Sequence, residues 1–500
     1  MDKVDLEKGF KRVGKFTLES GVEVFGELSL KGAATSLELY ADTPFELPDR
    51  SDIFGWFHDQ SKMVSLTNCI LKSGRGCRGR SIKESGYVSA VLFPHLVLLG
   101  DEHIRSSDRT IYKMNFAIDD AETLFYDPDT FGSIHINARS HLERIFDEVK
   151  PGEKKEFGTH PTIHYNTGKF EIISVDTVFG KISANNYTAE TLSIPNKGIH
   201  IKNTIKIDIE FSHRKNVNES IKIVSDLLKF LEIIAGRPQN ISWLTCLSMN
   251  AEEQSDHFFD VYRCSTLCHK MDKLDKPLPS GLPIQAATKP EEFSRVLRNW
   301  ATRHDEWKGA RYRFSTAFAH QNRYTLDRLV GAANMFDILP SSACPKPIPL
   351  SADLEESRCN SRKEFKKLPV SLERDSVLNA LGRIGQPSLK RKVRHRAKFI
   401  TDIVGDHFPD LEFVIDQSVD CRNYYVHGTT PKIDYDNHFN QVMFFTDTLE
   451  FIFAASDFIE SGWDIATWLE ENKKCPVLVH PFASYHAHYL QSLDALNMLS

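Results

Sequence analysis

The hydrophobic period of this chain changes part-way along it, which excludes both a single sheet and a single bundle. From Gly14 to about Lys202 apolar and polar residues alternate in short runs between glycine- or proline-bearing turns, as in Lys15–Glu19, Val22–Leu30, Ser36–Tyr40 and Val64–Leu71. A period of two belongs to strands with one buried face. Val88–Leu99, Phe170–Val175 and His200–Phe211 add further strands, so an antiparallel, sandwich-like arrangement is expected. Over Asn216–Ala235 the spacing becomes three and four, through Ile221, Val224, Leu227, Leu228, Leu231 and Ile234, with Gly236-Arg-Pro as a stop. Lys270–Pro290 carries four prolines and no sustained period, and the main boundary is placed there. Helices are then expected at Glu291–Trp307, Tyr324–Leu339, Glu373–Ile384, Ser388–Gly405, Asp410–Val426 and Asp434–Ile459, as an antiparallel bundle. The proline-rich excursion Pro340–Leu350 and the 460–500 tail lie outside that pattern. The reading is an α+β multidomain chain: a β-rich sensing or regulatory part over 1–280, an all-α bundle over 281–475, and a tail over 476–500 of unassigned role.

Composition supports this and narrows the function classes. Of 500 residues, 41% are hydrophobic and 26% charged, enough apolar material for more than one core and too much for general disorder. With 62 basic and 68 acidic residues the net charge is −6, so nucleic-acid contact has to come from a local basic patch. The most apolar stretch, Tyr87–Leu99, is interrupted by Pro94 and His95 and falls short of the ~20 residues a membrane span needs. The start, Met-Asp-Lys-Val-Asp-Leu-Glu-Lys, has no secretory apolar core, so a cytoplasmic protein without a membrane partner is expected. Nine scattered cysteines make no disulfide framework and read as reduced thiols.

Several motifs are set aside. Gly74-Arg-Gly76-Cys-Arg-Gly79 has dinucleotide-loop spacing, but no apolar helix follows to hold a pyrophosphate. Its Arg75, Arg78 and Arg80 suit phosphate or protein contact better. Cys264-x3-Cys268-His269 is half a zinc site without a second ligand pair, and His480, His486 and His488 read as single surface histidines. No Walker loop, His-Glu-x-x-His helix or Gly-x-Ser-x-Gly elbow is present, and neither cofactor nor metal is expected.

What remains is Val419-Asp-Cys-Arg-Asn-Tyr-Tyr-Val-His-Gly428, at the end of an expected bundle helix. Metal-free phosphodiester cleavage needs a base for the ribose 2′-hydroxyl, an acid for the departing 5′-oxygen, and a fixed cation beside the phosphate. An imidazole such as His427 handles protons near neutral pH, Arg422 offers a planar, permanently charged fork, and Asn423 can orient either group or the substrate. Spacing alone is weak, because with four to six intervening residues allowed Arg263/His269, Arg298/His304 and Arg313/His320 qualify as well. Context favours Arg422, at a helix-to-loop transition after a strongly basic helix.

In that context Arg422-Asn423-Tyr-Tyr-Val-His427 resembles the Arg-Asn-x-x-x-His signature of HEPN domains, a family of helical-bundle ribonucleases. The C-terminal half resembles the HEPN domain of ApeA-like anti-phage defence proteins, and the β-rich half, with Val64-Ser-Leu-Thr-Asn-Cys69, resembles their N-terminal domain. The resemblance implies a metal-independent endoribonuclease that leaves a 2′,3′-cyclic phosphate, with two protomers pooling their Arg-His pairs. It also implies an abortive-infection role, with host RNA, tRNA in particular, as substrate and a phage-encoded product as trigger.

From Arg383 to Lys398 there are seven basic residues and no acidic one. On a helical wheel Lys390, Arg391, Arg394 and Lys398 share a face opposite the Leu389–Ile400 apolar stripe, a cationic ridge suited to a phosphate backbone. A solvated helix face is the alternative. Tyr424 and Tyr425 suit base stacking, although bundle tyrosines more often serve the core. The competing functional reading is a catalytically silent HEPN bundle that binds RNA or protein, with Arg422 paired to a neighbouring acid such as Asp420 or Asp416 and His427 capping its helix. A carbohydrate- or peptide-binding β domain finds no sharp cluster within residues 1–270.

Overall fold

The computed structural model describes residues 9–499 apart from 44, 49, 58–61, 76–87, 136–138, 153–154, 193–198, 250–254, 265–274, 321–322 and 475–477. Two compact units result: 1–227 with 239–268 and 285–294, and 228–238 with 269–284 and 295–500.

The first unit is built on strands β1 (Lys11–Thr17), β2 (Glu23–Ser29), β3 (Ser36–Ala41), β4 (Ser51–Phe57), β5 (Met63–Arg75), β6 (Val88–Phe93), β7 (Leu96–Gly100) and β8 (Ile111–Ile118). Further on come β9 (Phe131–His135), β10 (Thr162–Asn166), β11 (Glu171–Thr177), β12 (Gly180–Leu192), β13 (Ile199–Lys215), β14 (Ile241–Met249) and β15 (Asp256–Arg263). Helices α1 (Ala121–Leu124), α2 (Arg139–Val149) and α3 (Val217–Ala235) punctuate them. The expected run Val88–Leu99 is two strands, because Pro94 has no N–H to continue a ladder.

The β-rich character is as expected, but the sheets are not a sandwich. Among the described residues one continuous sheet of thirteen strands runs β11-β12-β13-β8-β14-β15-β7-β5-β4-β1-β2-β3-β6, and β6 pairs back onto β5. That last pairing closes β5, β4, β1, β2, β3 and β6 into a barrel filled by Phe16, Leu28, Leu37, Ile53, Phe57 and Leu66 among others. Tight closure brings backbones together: a Cβ on Gly14 would lie 2.5 Å from the Trp56 carbonyl oxygen.

Strand β5 serves both parts. Met63–Thr67 pair with β7 and Ile70–Arg75 with β6. Asn68, between them, has φ +52°, a conformation asparagine tolerates better than branched residues. Its N–H donates to Asp52 Oδ1 (3.1 Å), while its carbonyl oxygen lies 2.7 Å from His95 Nδ1. The Val64–Cys69 motif thus marks the point where one strand changes partners.

The second unit is helical, with the end of α3 and, from Arg295 on, α4 (Pro290–Thr302), followed by α5 (His304–Phe318), α6 (Leu326–Asp337), α7 (Ala352–Lys367), α8 (Leu372–Arg383), α9 (Leu389–Val404), α10 (Leu411–His427), α11 (Phe439–Ser461), α12 (Ile465–Lys474) and α13 (Pro481–Asn497). Helices α6 to α9 each start on a Ser or Thr (Thr325, Ser351, Ser371, Ser388) whose hydroxyl accepts the N–H three residues on. The expected helix 291–307 is divided at Arg303, whose side chain reaches Asp457, Glu460 and Ser461. Helix α7 was not foreseen; it buries no residue, so it has no apolar stripe to read. Nor is the 460–500 segment a loose tail: α13 lays Tyr485 and Tyr489 against Phe444, and Tyr485 against Phe451, of α11.

At the centre of the bundle is an ionic network. Asp457, fully buried on α11, accepts from Arg311 Nε and Nη2 at 2.9 Å each and from Arg303 Nη2 at 2.6 Å. Glu460 pairs with Arg303 (2.6 Å) and Arg396 of α9 (3.0 Å), and Arg311 lies 3.9 Å over the Trp300 ring. Burial raises the cost of the Asp457 charge, yet Arg311 and Arg303 hold its carboxyl below the ordinary range.

Candidate active site

Helix α10 ends where Gly428, at φ +65°, turns the chain and donates its N–H to the Tyr424 carbonyl at 2.9 Å. His427 is thereby the last helical residue, and it is exposed. Asn423 and His427 are four residues apart and share a face. The Arg422 guanidinium reaches across to both: Nη1 lies 3.1 Å from Asn423 Oδ1 and 3.1 Å from His427 Nε2. A guanidinium has no acceptor, so this contact is a hydrogen bond only with the lone pair on Nε2. All three expected site residues are therefore together, and Asn423 orients the arginine.

The other side of Arg422 is fixed by residues that sequence reading missed. Nη2 donates to Asn334 Oδ1 at 2.8 Å and lies 3.6 Å from Asp337 Oδ2, both on α6. Lys392 of α9 adds a bond to the Asp337 carbonyl (2.9 Å), at the carbonyl end of α6. Only the three-residue spacing of Asn334 and Asp337 on one helix hints at a shared task, and nothing in it points to residue 422. The acid that Arg422 faces is Asp337, as a silent bundle would also have it, and not Asp420 or Asp416: Asp420 holds Lys390 and Lys432 at 2.6 Å each, and Asp416 accepts from Arg394 Nε at 3.0 Å.

The cationic ridge is accordingly not a free row of charge. Lys390 and Arg394 are committed to Asp420 and Asp416, Lys398 bonds Asp402 one turn on (3.1 Å), and Arg391 donates to the Lys346 carbonyl (3.2 Å). Lys398 is the most open of them, with 70% of its side chain exposed. Tyr424 and Tyr425 form a ring cluster with buried Tyr435, at centroid distances of 5.4 and 6.0 Å. Burial first, then Cys421 and Asp436, push the Tyr425 hydroxyl up to about 12.

The other motifs separate from this centre. His304 is buried beside Trp300. His480 is not at the surface: its Nε2 faces the Ile233 carbonyl (3.1 Å), its Nδ1 accepts the Phe482 N–H (3.2 Å), and burial holds it down at about 4. His486 pairs with His407 at 2.9 Å. Gly76–Gly79, with Arg78 and Arg80, and Cys268 and His269 lie outside the described residues. Among the described residues no helix is long and apolar enough to cross a membrane.

Residues 330–466, which hold the Arg422, Asn423 and His427 cluster, match the family model of the Apea-like HEPN domain. Residues 11–300, more than half of the chain, match ApeA N-terminal domain 1. The chain belongs to the ApeA family and is a defence protein of HEPN nuclease type. No curated protein and no solved structure matches it.

Proposed function

We propose that the protein is a metal-independent endoribonuclease that cleaves host RNA, with tRNA as the substrate class, in abortive-infection defence. The observation that carries this reading is the 3.1 Å contact between Arg422 Nη1 and His427 Nε2 at an exposed helix end. A phosphate entering the cluster exchanges the guanidinium's bonds to Asn423 and His427 for bonds to its own oxygens, which frees the Nε2 lone pair. That nitrogen takes the 2′-hydroxyl proton as the 2′-oxygen attacks phosphorus. The bond to the 5′-oxygen breaks, a protonated imidazole supplies the proton to the leaving oxygen, and a 2′,3′-cyclic phosphate remains. Two imidazoles in opposite protonation states perform this best, which favours a homodimer, or a higher oligomer, with two such clusters in one cleft.

In this reading residues 281–475 carry the chemistry, residues 1–280 sense a phage-encoded trigger in the cytoplasm, and 476–500 complete the helical unit. Lys398, with its neighbours Lys390, Arg391 and Arg394, follows the RNA backbone after giving up its present partners. The test compares wild type with His427→Ala, equally folded, on total cellular RNA in excess EDTA, with and without phage-infected lysate, mapping cyclic-phosphate ends. New ends from wild type alone support the proposal. Equal cutting by both removes His427 from the chemistry. Silence of both, with lysate present, favours a binding module in which Asn334 and Asp337 hold Arg422 as a buttress.

A further inference from the structure

The helical unit contains a cavity of about 600 Å³ between α5, α6, α11 and α13, within the range of small-molecule sites. Phe314, Phe318, Phe444, Phe451, Phe482 and Tyr485 line it. Its polar part is a separate cluster from Arg422 and His427. Arg328 of α6 grips Glu450 of α11 through Nε–Oε1 (2.9 Å) and Nη2–Oε2 (2.7 Å), and these two side chains are only 4% and 7% exposed. Asp447, one turn away, lies 3.3 Å from the same guanidinium and accepts the Tyr324 hydroxyl at 2.6 Å. A third of the Asp447 side chain is open, and it lines the cavity.

Two carboxylates thus share one guanidinium, which leaves one negative charge uncompensated. Burial, eased by Arg328 and reinforced by Glu450, lifts the Asp447 carboxyl to about 7, the behaviour of a carboxylate short of positive charge. A second observation points the same way. Gln441 lines the cavity, is 6% exposed, and its Oε1 is a buried acceptor with no hydrogen-bond partner. Asp275 adds another carboxylate to the lining. Of the charged lining, Asp275, Asp447 and Glu450 stand against Arg328 alone, with His488 turned to the Ser484 carbonyl (2.8 Å), so the balance is negative and is set among aromatic faces that attract cations.

We propose that this cavity binds a small organic amine, whose ammonium group is held by Asp447 and Gln441 against the aromatic wall. The acidic lining repels phosphates, so the site is distinct in ligand from an RNA-cleaving centre and does not depend on that chemistry. Because α6 carries Arg328 as well as Asn334, an occupant rests on the helix that anchors Arg422.

The full-length protein is titrated calorimetrically with spermidine and with agmatine, and with AMP as an anionic comparison, at physiological salt. Saturable binding of an amine is expected, weakened at least tenfold by Asp447→Asn, abolished by the cavity-filling Ser492→Trp, and unchanged by Arg422→Ala. Ser492 takes no part in the ionic cluster, so it reports on the cavity even if Asp447→Asn disturbs folding. Amine binding that is absent, that is equal in all variants, or that is weaker than AMP binding overturns the proposal.

Discussion

Asp457→Asn is the substitution expected to damage the helical unit most. The native carboxylate is fully buried and faces Arg311 and Arg303, with Arg396 joined to the same group through Glu460. Asparagine keeps the shape and one acceptor but removes the charge, leaving three guanidinium groups against Glu460 alone. Removing one partner of a buried pair costs about 3–5 kcal/mol, because the stranded charge has lost its solvent as well as its counter-ion. At about 2–4 °C per kcal/mol for a unit of this size, the thermal midpoint should fall by roughly 10 °C. The assay is calorimetry with near-ultraviolet circular dichroism, which follows Trp300 and Trp307 beside the arginines. The carboxyl's depressed pKa gives the sign with pH: its stabilisation is complete above the unfolded-state value near 4 and is lost as pH falls through the folded one. The gap between wild type and variant should therefore narrow in acid. A shift under 2 °C at pH 7, or a gap that widens in acid, would show that the network is not what holds these helices.

Three further outcomes are expected. Asn334→Ala removes a hydrogen bond to a charged group, worth about 1.5–3 kcal/mol, and should lower single-turnover RNA cleavage by roughly tenfold to a hundredfold; Asn334→Asp should restore most of it, which a purely structural role would not require. Gly428→Val places a branched side chain at φ +65° and should cost about 1–2 kcal/mol, read as a lowered thermal midpoint with a frayed end to α10. Lys398→Ala should reduce the slope of log affinity against log salt for single-stranded RNA by about 0.7, whereas Arg394→Ala, by breaking the Asp416 pair, should act more on the thermal midpoint.

What could be read in advance follows from where information sits in a sequence. Helices α9 and α10 were legible because each carries its own boundary signals: Ser388 after Pro387 for one, Gly428 for the other. The Asn423–His427 spacing was legible for the same reason, being contained within one helix. Barrel closure was not, since a strand-like run such as Val88–Phe93 does not tell which strand it returns to, here β5. The network about Asp457 was hidden by distance, its partner Arg311 lying 146 positions away. Asn334 and Gln441 escaped because their significance is an unshared or reserved acceptor, a property of surroundings and not of residue type. Helix α13 escaped because its aromatic residues are matched by residues outside it, Phe444 and Phe451 of α11 with Phe408, Trp463 and Trp468.

The partner change at Asn68 also sets an order of assembly. Every strand of the barrel lies before residue 94, so that part can close on a growing chain by pairing neighbours in time as well as space. Strand β7 has one edge satisfied by β5 at once, but the other waits for β15, more than 150 residues later. Throughout that interval Leu96–Gly100 presents an unpaired edge made wholly of apolar residues, the kind that recruits another strand. The cell's burden in making this protein therefore falls between synthesis of residues 100 and 263, and misassembly, when it occurs, should begin at β7.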